Sequence, residues 1–229
     1  LTIGFASYGD RPPYWGWVFA YDAQTLQQKG IFNDVTNAVG GGIWQSGQGF
    51  SVDENDDIYV ASGNHKNYQP IGPTELSEAV FKLRPSAGLS LIDWFKPYDY
   101  AAMDAVDNDL GIGGVVLIPG TNLAYTGSKL GKLYLLDRDN LGHVQNNDAQ
   151  IPQFFQATQS QTTATTFCHI HGSPALWNGP NGYQIFVWGE NDYLKSYQFL
   201  PSEKFSTTPL SRSTMTAPLK TMPGGALSV

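Results

Sequence analysis

The chain has 229 residues, 14% of them charged and 13% aromatic, with a formal net charge of −7. So few charges exclude a disordered chain or a long solvated helix, and the acidic balance excludes a nucleic-acid partner, whose phosphates it would repel. No Lys/Arg run suits an anionic lipid surface, and no apolar stretch approaches the ~20 residues of a bilayer span.

With 25 glycines and 14 prolines, the sequence reads as many short strands joined by tight turns. In chain order, residues 1–5, 16–22 and 29–32 are predicted strands. A Gly-led segment at 41–44 then opens a unit continued by 57–63, 79–83 and 89–95. A second Gly-led segment, 113–117, is followed by 123–127, 131–137 and a weak strand near 142–144. A third, 172–177, is followed by 184–189, 193–199 and 204–207, and a fourth begins at 224. Period-two apolar alternation with aromatic and β-branched residues is the strand signature. The polar stretches 53–56, 137–140 and 178–182 fall where hairpin turns are needed.

The recurring unit is a four-strand blade, so the expected fold is all-β, a β-propeller region spanning 1–229. Its units are 1–32, 41–97, 113–145 and 172–207, and the segment 224–229 has the pattern of the strand missing from the first. Two arrangements follow: four blades closed by pairing of the termini, or an excerpt of a seven- or eight-bladed propeller, which is the favoured one. An isolated arc would expose edge strands, so another copy or fragment completing the ring is an expected partner. No basic n-region before an apolar run marks a signal peptide. Cys168 stands alone, so no intrachain disulfide forms, which suits a cytosolic protein and a large secreted propeller alike.

The stretches Phe19-Ala20-Tyr21-Asp22-Ala23-Gln24-Thr25-Leu26 and Leu133-Tyr134-Leu135-Leu136-Asp137-Arg138-Asp139-Asn140-Leu141-Gly142 resemble the repeat of the quinoprotein (PQQ-dependent alcohol dehydrogenase-like) β-propellers. Residues 81–94, ending in Trp94, form a looser copy. The resemblance implies a propeller, an extracellular or periplasmic location, and PQQ with Ca²⁺ as cofactors of an alcohol or sugar dehydrogenase. The family's adjacent Cys-Cys pair has no counterpart, and its Ca²⁺ site and carboxylate base match no motif, so no catalytic residue carries over. The expected function is a binding or scaffold module engaging a small-molecule or protein ligand through its channel-face loops. A quinoprotein-type oxidoreductase whose remaining site residues lie outside this chain is the alternative.

A propeller gathers the loops entering each innermost strand, and those joining second to third strands, on one face around the channel. These loops hold Asp104, Asp107 and Asp109, Cys168 to His171, His65 within 64–68, Lys129, and Glu190 to Asp192, with Trp15 in a Pro-rich segment at 8–15. In His169-x-His171 both imidazoles of an extended backbone point one way, fitting either a metal pair or hydrogen-bonded histidines capping the channel. Cys168 beside His169 is a weaker nucleophile candidate, since adjacent side chains diverge. The acidic runs 53–57 and 104–109 are Ca²⁺ candidates against hairpin or loop readings, Asp107 and Asp109 being the better pair; neither run has EF-hand spacing. Glu190 and Asp192 suit a turn as well as a ligand site. Tyr14, Trp15, Tyr68 and Tyr98 are candidate sugar-stacking platforms; Trp17, Trp44, Trp94, Trp177 and Trp188 are expected in packing between blades.

Overall fold

A computed structural model describes residues 1–9, 11–65, 71–159, 167–218 and 224–229. Asp10, Lys66, Asn67 and Tyr68, named above within loop segments, lie outside them. The fold is all-β, with four antiparallel sheets in succession. The first holds β1 (Thr2–Phe5), β2 (Trp17–Tyr21) and β3 (Gln28–Asn33). The second holds β4 (Ser51–Val52), β5 (Ile58–Ala61), β6 (Val80–Arg84) and β7 (Ser90–Phe95). The third holds β8 (Val116–Leu117), β9 (Leu123–Gly127), β10 (Lys132–Asp137) and β11 (Gln153–Gln156). The fourth holds β12 (Ala175–Gly179), β13 (Gly182–Val187), β14 (Tyr193–Gln198) and β15 (Ser211–Thr216). Each strand pairs with its sequence neighbour, as in propeller blades.

The core lies between blades. Ile58, Val60, Phe81 and Leu83 of the second sheet meet Val18 and Ala20 of the first. The alternate residues Tyr59, Ala61 and Val80 point the other way, onto Ala124, Tyr134 and Leu136 of the third. Tyr125, Leu133 and Leu135 then face Ile185, Val187 and Tyr197 of the fourth. A sheet covered on both faces needs apolar residues at every position, which is why β5 and β9 are buried throughout. The end sheets lack a second cover, and Ile3, Phe5 and Trp177 remain exposed.

The repeated Asp of the third strand closes its hairpin. Asp22 Oδ1 accepts from the Gln24 and Thr25 amides at 3.0 and 2.9 Å, and Asp137 Oδ1 from the Asp139 amide at 2.9 Å. This is the local side-chain turn that favours Asp. Asp53 does likewise, accepting from the amides of Asn55 and Asp57 at 2.9 and 3.0 Å. The run 53–57 is therefore a hairpin turn, with Asp53 and Asp57 held by Lys82 and Arg84 and Glu54 by Arg138, which favours the turn over the Ca²⁺ alternative there.

Several strands differ from expectation. The outer strand of the third sheet is β11, not 142–144. His143 instead bridges to Phe95 of the neighbouring blade and stacks on Trp94 at 4.5 Å. The outer strand of the fourth sheet is the polar β15. Phe205, in the segment expected there, is buried against Tyr125 and Phe199. Residues 41–44 form a loop, because Gly40 and Gly41 adopt φ of +128° and +69°, outside the strand region for other residues. Among the described residues, 224–229 forms no strand with β1; Gly225 N donates to Trp188 O at 3.2 Å, at the end of the fourth sheet. No helix among the described residues is long and apolar enough to cross a membrane.

Candidate functional site

The loops after β5, β9 and β13 and the loops entering the third and fourth sheets meet at one rim. Helix α1 (Tyr100–Ala105), which strand patterning did not predict, lies in the loop entering the third sheet. It presents Asp104, whose Oδ1 accepts from the His65 amide at 3.1 Å and whose Oδ2 lies 3.7 Å from His65 Nδ1. Farther along, Asp109 Oδ1 accepts from the Asn64 amide at 2.8 Å, and Asp107 Oδ1 from the Asn64 side-chain amide at 3.2 Å. Lys129 reaches both acids, at 2.6 Å from Asp109 and 2.9 Å from Asp107. Burial raises the Asp109 carboxyl against the opposing pull of Lys129. Burial lowers the Lys129 ammonium, but Asp109 and Asp107 outweigh it and hold it above its ordinary value. These acids are thus occupied by a lysine.

The loop entering the fourth sheet lies against the ends of β9 and β13. Ile170 N donates to Ser128 O at 3.2 Å, and Glu190 N to His169 O at 3.0 Å. Gly189 permits this approach: a Cβ there would stand 2.4 Å from Thr158 Cγ2 and 3.2 Å from His169 O. Ile170 is buried between sheets, so His169 and His171 face the other way, together. His171 Nε2 lies 3.1 Å from Glu190 Oε1, His169 Nδ1 lies 3.5 Å from Glu190 Oε2, and the two nitrogens are 3.3 Å apart. All three side chains are buried. Burial pulls the His169 imidazole down to about 4, the nearby Glu190 only partly opposing it, so this ring is neutral near pH 7 and offers lone pairs. Trp44 joins the two groups: its ring lies 6.0 Å from that of His171 and under Lys129 Nζ at 5.9 Å.

Other predicted residues fall elsewhere. Asp192 is buried on Lys195 (2.6 Å) and the Gln159 and Tyr193 amides (2.9 and 2.8 Å), positions that hold its own loop. Trp15 is partly exposed, with its indole N–H bound to Ala38 O at 2.7 Å. Tyr98 is exposed, but Tyr14 is buried and presents no stacking face, and Trp177 is exposed rather than packed between blades. The Cys168 thiol is pushed up by burial, then by Asp192 and Glu190; a nucleophilic thiolate needs the opposite environment.

Sequence reasoning missed a second group behind the rim: Asp34, Glu75, Glu78 and Lys96, all buried. Lys96 Nζ donates to Glu75 O at 2.9 Å and lies over the Tyr100 ring. Burial lowers its ammonium to about 8 despite four acids nearby. These residues stand in irregular segments, where no apolar period signals burial. At the opposite rim, a polar cleft of about 500 Å³ is lined by Glu54, Thr121, Asn122 and Arg138. Arg138 is spent there on Glu54 and Thr121 O, at 3.1 and 2.6 Å.

Ca²⁺ takes six to eight oxygen ligands. Asp107 and Asp109 are held by Lys129, and the remaining cluster offers two imidazoles. The described residues therefore do not fit a PQQ–Ca²⁺ site.

No family model and no curated protein matches the chain. Solved structures do. A europium-containing methanol dehydrogenase is 15% identical, with a TM-score of 0.60 over 91% of this chain and 45% of that one. The quinohemoprotein alcohol dehydrogenase ADHIIG from Pseudomonas putida HK5 is 16% identical, with a TM-score of 0.53 over 89% and 37%. BamB from Moraxella catarrhalis is 8% identical, with a TM-score of 0.52 over 84% and 48%. The chain spans less than half the length of each. At these identities the likeness is one of architecture: the chain has the β-propeller fold that these proteins share.

Proposed function

We propose that the chain is a propeller module that binds a small-molecule or protein ligand through its channel-face rim. The observation that carries this is the continuity of the rim. Asp107 and Asp109 share Lys129 and hold Asn64, whose chain neighbour His65 is held by Asp104, and Trp44 links this group to His171, His169 and Glu190. Polar side chains from three blades, set on rigid strand ends, are the usual makings of a ligand site. Asp107, 68% exposed at its side chain, is the member that meets solvent.

A ligand-observed NMR screen of the full chain against a panel of sugars, alcohols and carboxylates tests this. Hits should vanish with Asp107→Ala combined with Lys129→Met and persist with Glu54→Ala at the opposite rim. Hits indifferent to the rim variants would overturn the proposal.

Dehydrogenase chemistry is the second reading, favoured by the shared architecture with the two alcohol-oxidising enzymes; because the described residues do not fit a PQQ–Ca²⁺ site, it requires site residues beyond them. Dye reduction by the full chain with added PQQ, Ca²⁺ and an alcohol or aldose would establish it against a purely binding role.

A further inference from the structure

We propose that His169, His171 and Glu190 form a site for one divalent transition-metal ion of the zinc type. The first argument is dimensional. Zinc bonds to imidazole nitrogen and carboxylate oxygen are ~2.0–2.2 Å long, which places the corners of a tetrahedron about 3.3–3.5 Å apart. The two imidazole nitrogens stand 3.3 Å apart, and each lies beside one oxygen of Glu190, His171 Nε2 at 3.1 Å from Oε1 and His169 Nδ1 at 3.5 Å from Oε2, so two nitrogens and a carboxylate are already gathered within reach of one ion.

The second argument concerns protons. Each facing imidazole nitrogen carries either a proton or a lone pair, and the Glu190 carboxylate that it faces is an acceptor. If both carry protons, both donate to Glu190 but two N–H groups confront each other at 3.3 Å. If one or neither does, a lone pair confronts the carboxylate. Every placement leaves one edge repulsive, and His169 Nε2 on the far side of its ring is buried without a hydrogen-bond partner among the described residues. A central cation makes all three inner contacts attractive at once.

The third argument is ligand softness. Two imidazoles and one carboxylate suit zinc, cobalt, iron or nickel, whereas Ca²⁺ and Mg²⁺ prefer oxygen donors. The cluster is also built on fixed backbone, with Ile170 anchored between sheets and Glu190 N bound to His169 O. Three protein ligands leave a fourth position for water or a bound molecule, the pattern of an open site. Phe167 stands beside His169, ring centres 4.8 Å apart, and is itself 42% exposed, so the site lies close under the surface.

The test uses the full chain, stripped with a chelator and titrated with Co²⁺ by visible ligand-field absorption and with Zn²⁺ by calorimetry. One ion per chain is expected, with Zn²⁺ displacing Co²⁺ and excess Ca²⁺ displacing neither. Glu190→Gln and His171→Ala should each weaken binding about 100-fold or more, beyond the 10–100-fold typical of changes outside the ligand set. His143→Ala, on the outer edge of a neighbouring blade, should not. Zn²⁺ should raise the melting temperature of the wild type and of neither ligand variant. Absence of binding, displacement by Ca²⁺, or affinity unmoved by Glu190→Gln would overturn the proposal. If His171→Ala fails to fold by circular dichroism, Glu190→Gln decides, since it preserves shape and volume. The rim-ligand screen turns on Asp107 and Lys129, so either proposal can fail without the other.

Discussion

Asp53 and Asp57 at the hairpin rim of the second blade, and His169, His171 and Glu190 at the channel rim of the fourth, are comparably buried. Only the first group has its charges matched. Asp57 takes a two-bond fork from Arg84, Nε at 2.8 Å and Nη2 at 2.6 Å, and Lys82 sits 3.2 and 3.3 Å from Asp53 and Asp57. Tyr59 OH supplies Asp53 with a further donor at 3.0 Å. Every carboxylate there has a proton aimed at it, so the cluster belongs to folding. In the channel-rim group two imidazole nitrogens and a carboxylate face one another, and among the described residues no lysine or arginine reaches Glu190.

Breaking the matched cluster should have the largest effect. Asp57→Ala removes the shared partner of Lys82 and Arg84 and leaves the lysine beside a covered surface. Losing one member of a buried pair costs ~3–5 kcal/mol. Since Arg84 reaches solvent, about 3 kcal/mol is expected, read from the midpoint of urea unfolding at unchanged slope. A change below about 1 kcal/mol would mean that the cluster is not structural.

Asp34 tests the opposite kind of burial, an acid without a counter-charge in contact. Both its oxygens are buried without a well-formed hydrogen bond among the described residues, and burial raises its carboxyl well above the ordinary range against the weaker pull of its own backbone amide and of Lys96. Its folded value therefore exceeds the unfolded one, near ~3.9, and the folded state binds the extra proton. Stability from this group is full below the unfolded value and is lost as pH rises toward the folded one. Asp34→Asn keeps the buried polar atoms but removes the titration. It should abolish that slope and leave the protein more stable at pH 7 by about 1 kcal/mol or more, since each pH unit by which a folded carboxyl is raised is worth ~1.4 kcal/mol. Melting curves of both proteins between pH 4 and 8 check this.

Asp53→Asn sharpens the contrast within the matched cluster. An asparagine oxygen still closes the turn onto the amides of residues 55 and 57, so what is lost is the charge toward Lys82 and the acceptor for Tyr59 OH. About 1 kcal/mol is expected, the ordinary worth of a hydrogen-bonded contact and well below the Asp57 effect. Equal losses would show that the turn, not the ion pairs, holds this rim.

What the sequence disclosed follows the same division between covered and uncovered positions. The second and third strands of the two inner blades were legible because both faces are buried, giving runs such as Ile58-Tyr59-Val60-Ala61. Outer strands such as 211–216 carry Ser, Arg and Thr toward solvent, so their pattern fades, and Phe205 drew attention to the wrong segment. His169-x-His171 was visible from its spacing. Its partner Glu190 was named only as one rim residue among several, because its loop joins the histidines through a fold contact that spacing cannot express. The pairing of Lys129 with Asp107 and Asp109 was hidden for the same reason.

Glu190→Gln isolates the remaining half of the comparison. In metal-free protein it removes the carboxylate that confronts a lone pair or holds two N–H groups together, and it adds an amide donor that His171 Nε2 can accept. The lost charge-assisted contacts and the relieved repulsion are of similar size, each on the order of 1 kcal/mol, so net stability should move by less than about 1 kcal/mol in either direction. With Zn²⁺ present the wild type alone gains stability, by RT ln(1 + [L]/Kd), ~2.7 kcal/mol at a hundredfold excess over Kd. A variant that is nearly neutral without metal and loses the metal-dependent gain separates a binding site from a structural knot. Loss of about 3 kcal/mol in the metal-free protein would instead place Glu190 in the same class as Asp57, whose removal breaks a buried pair.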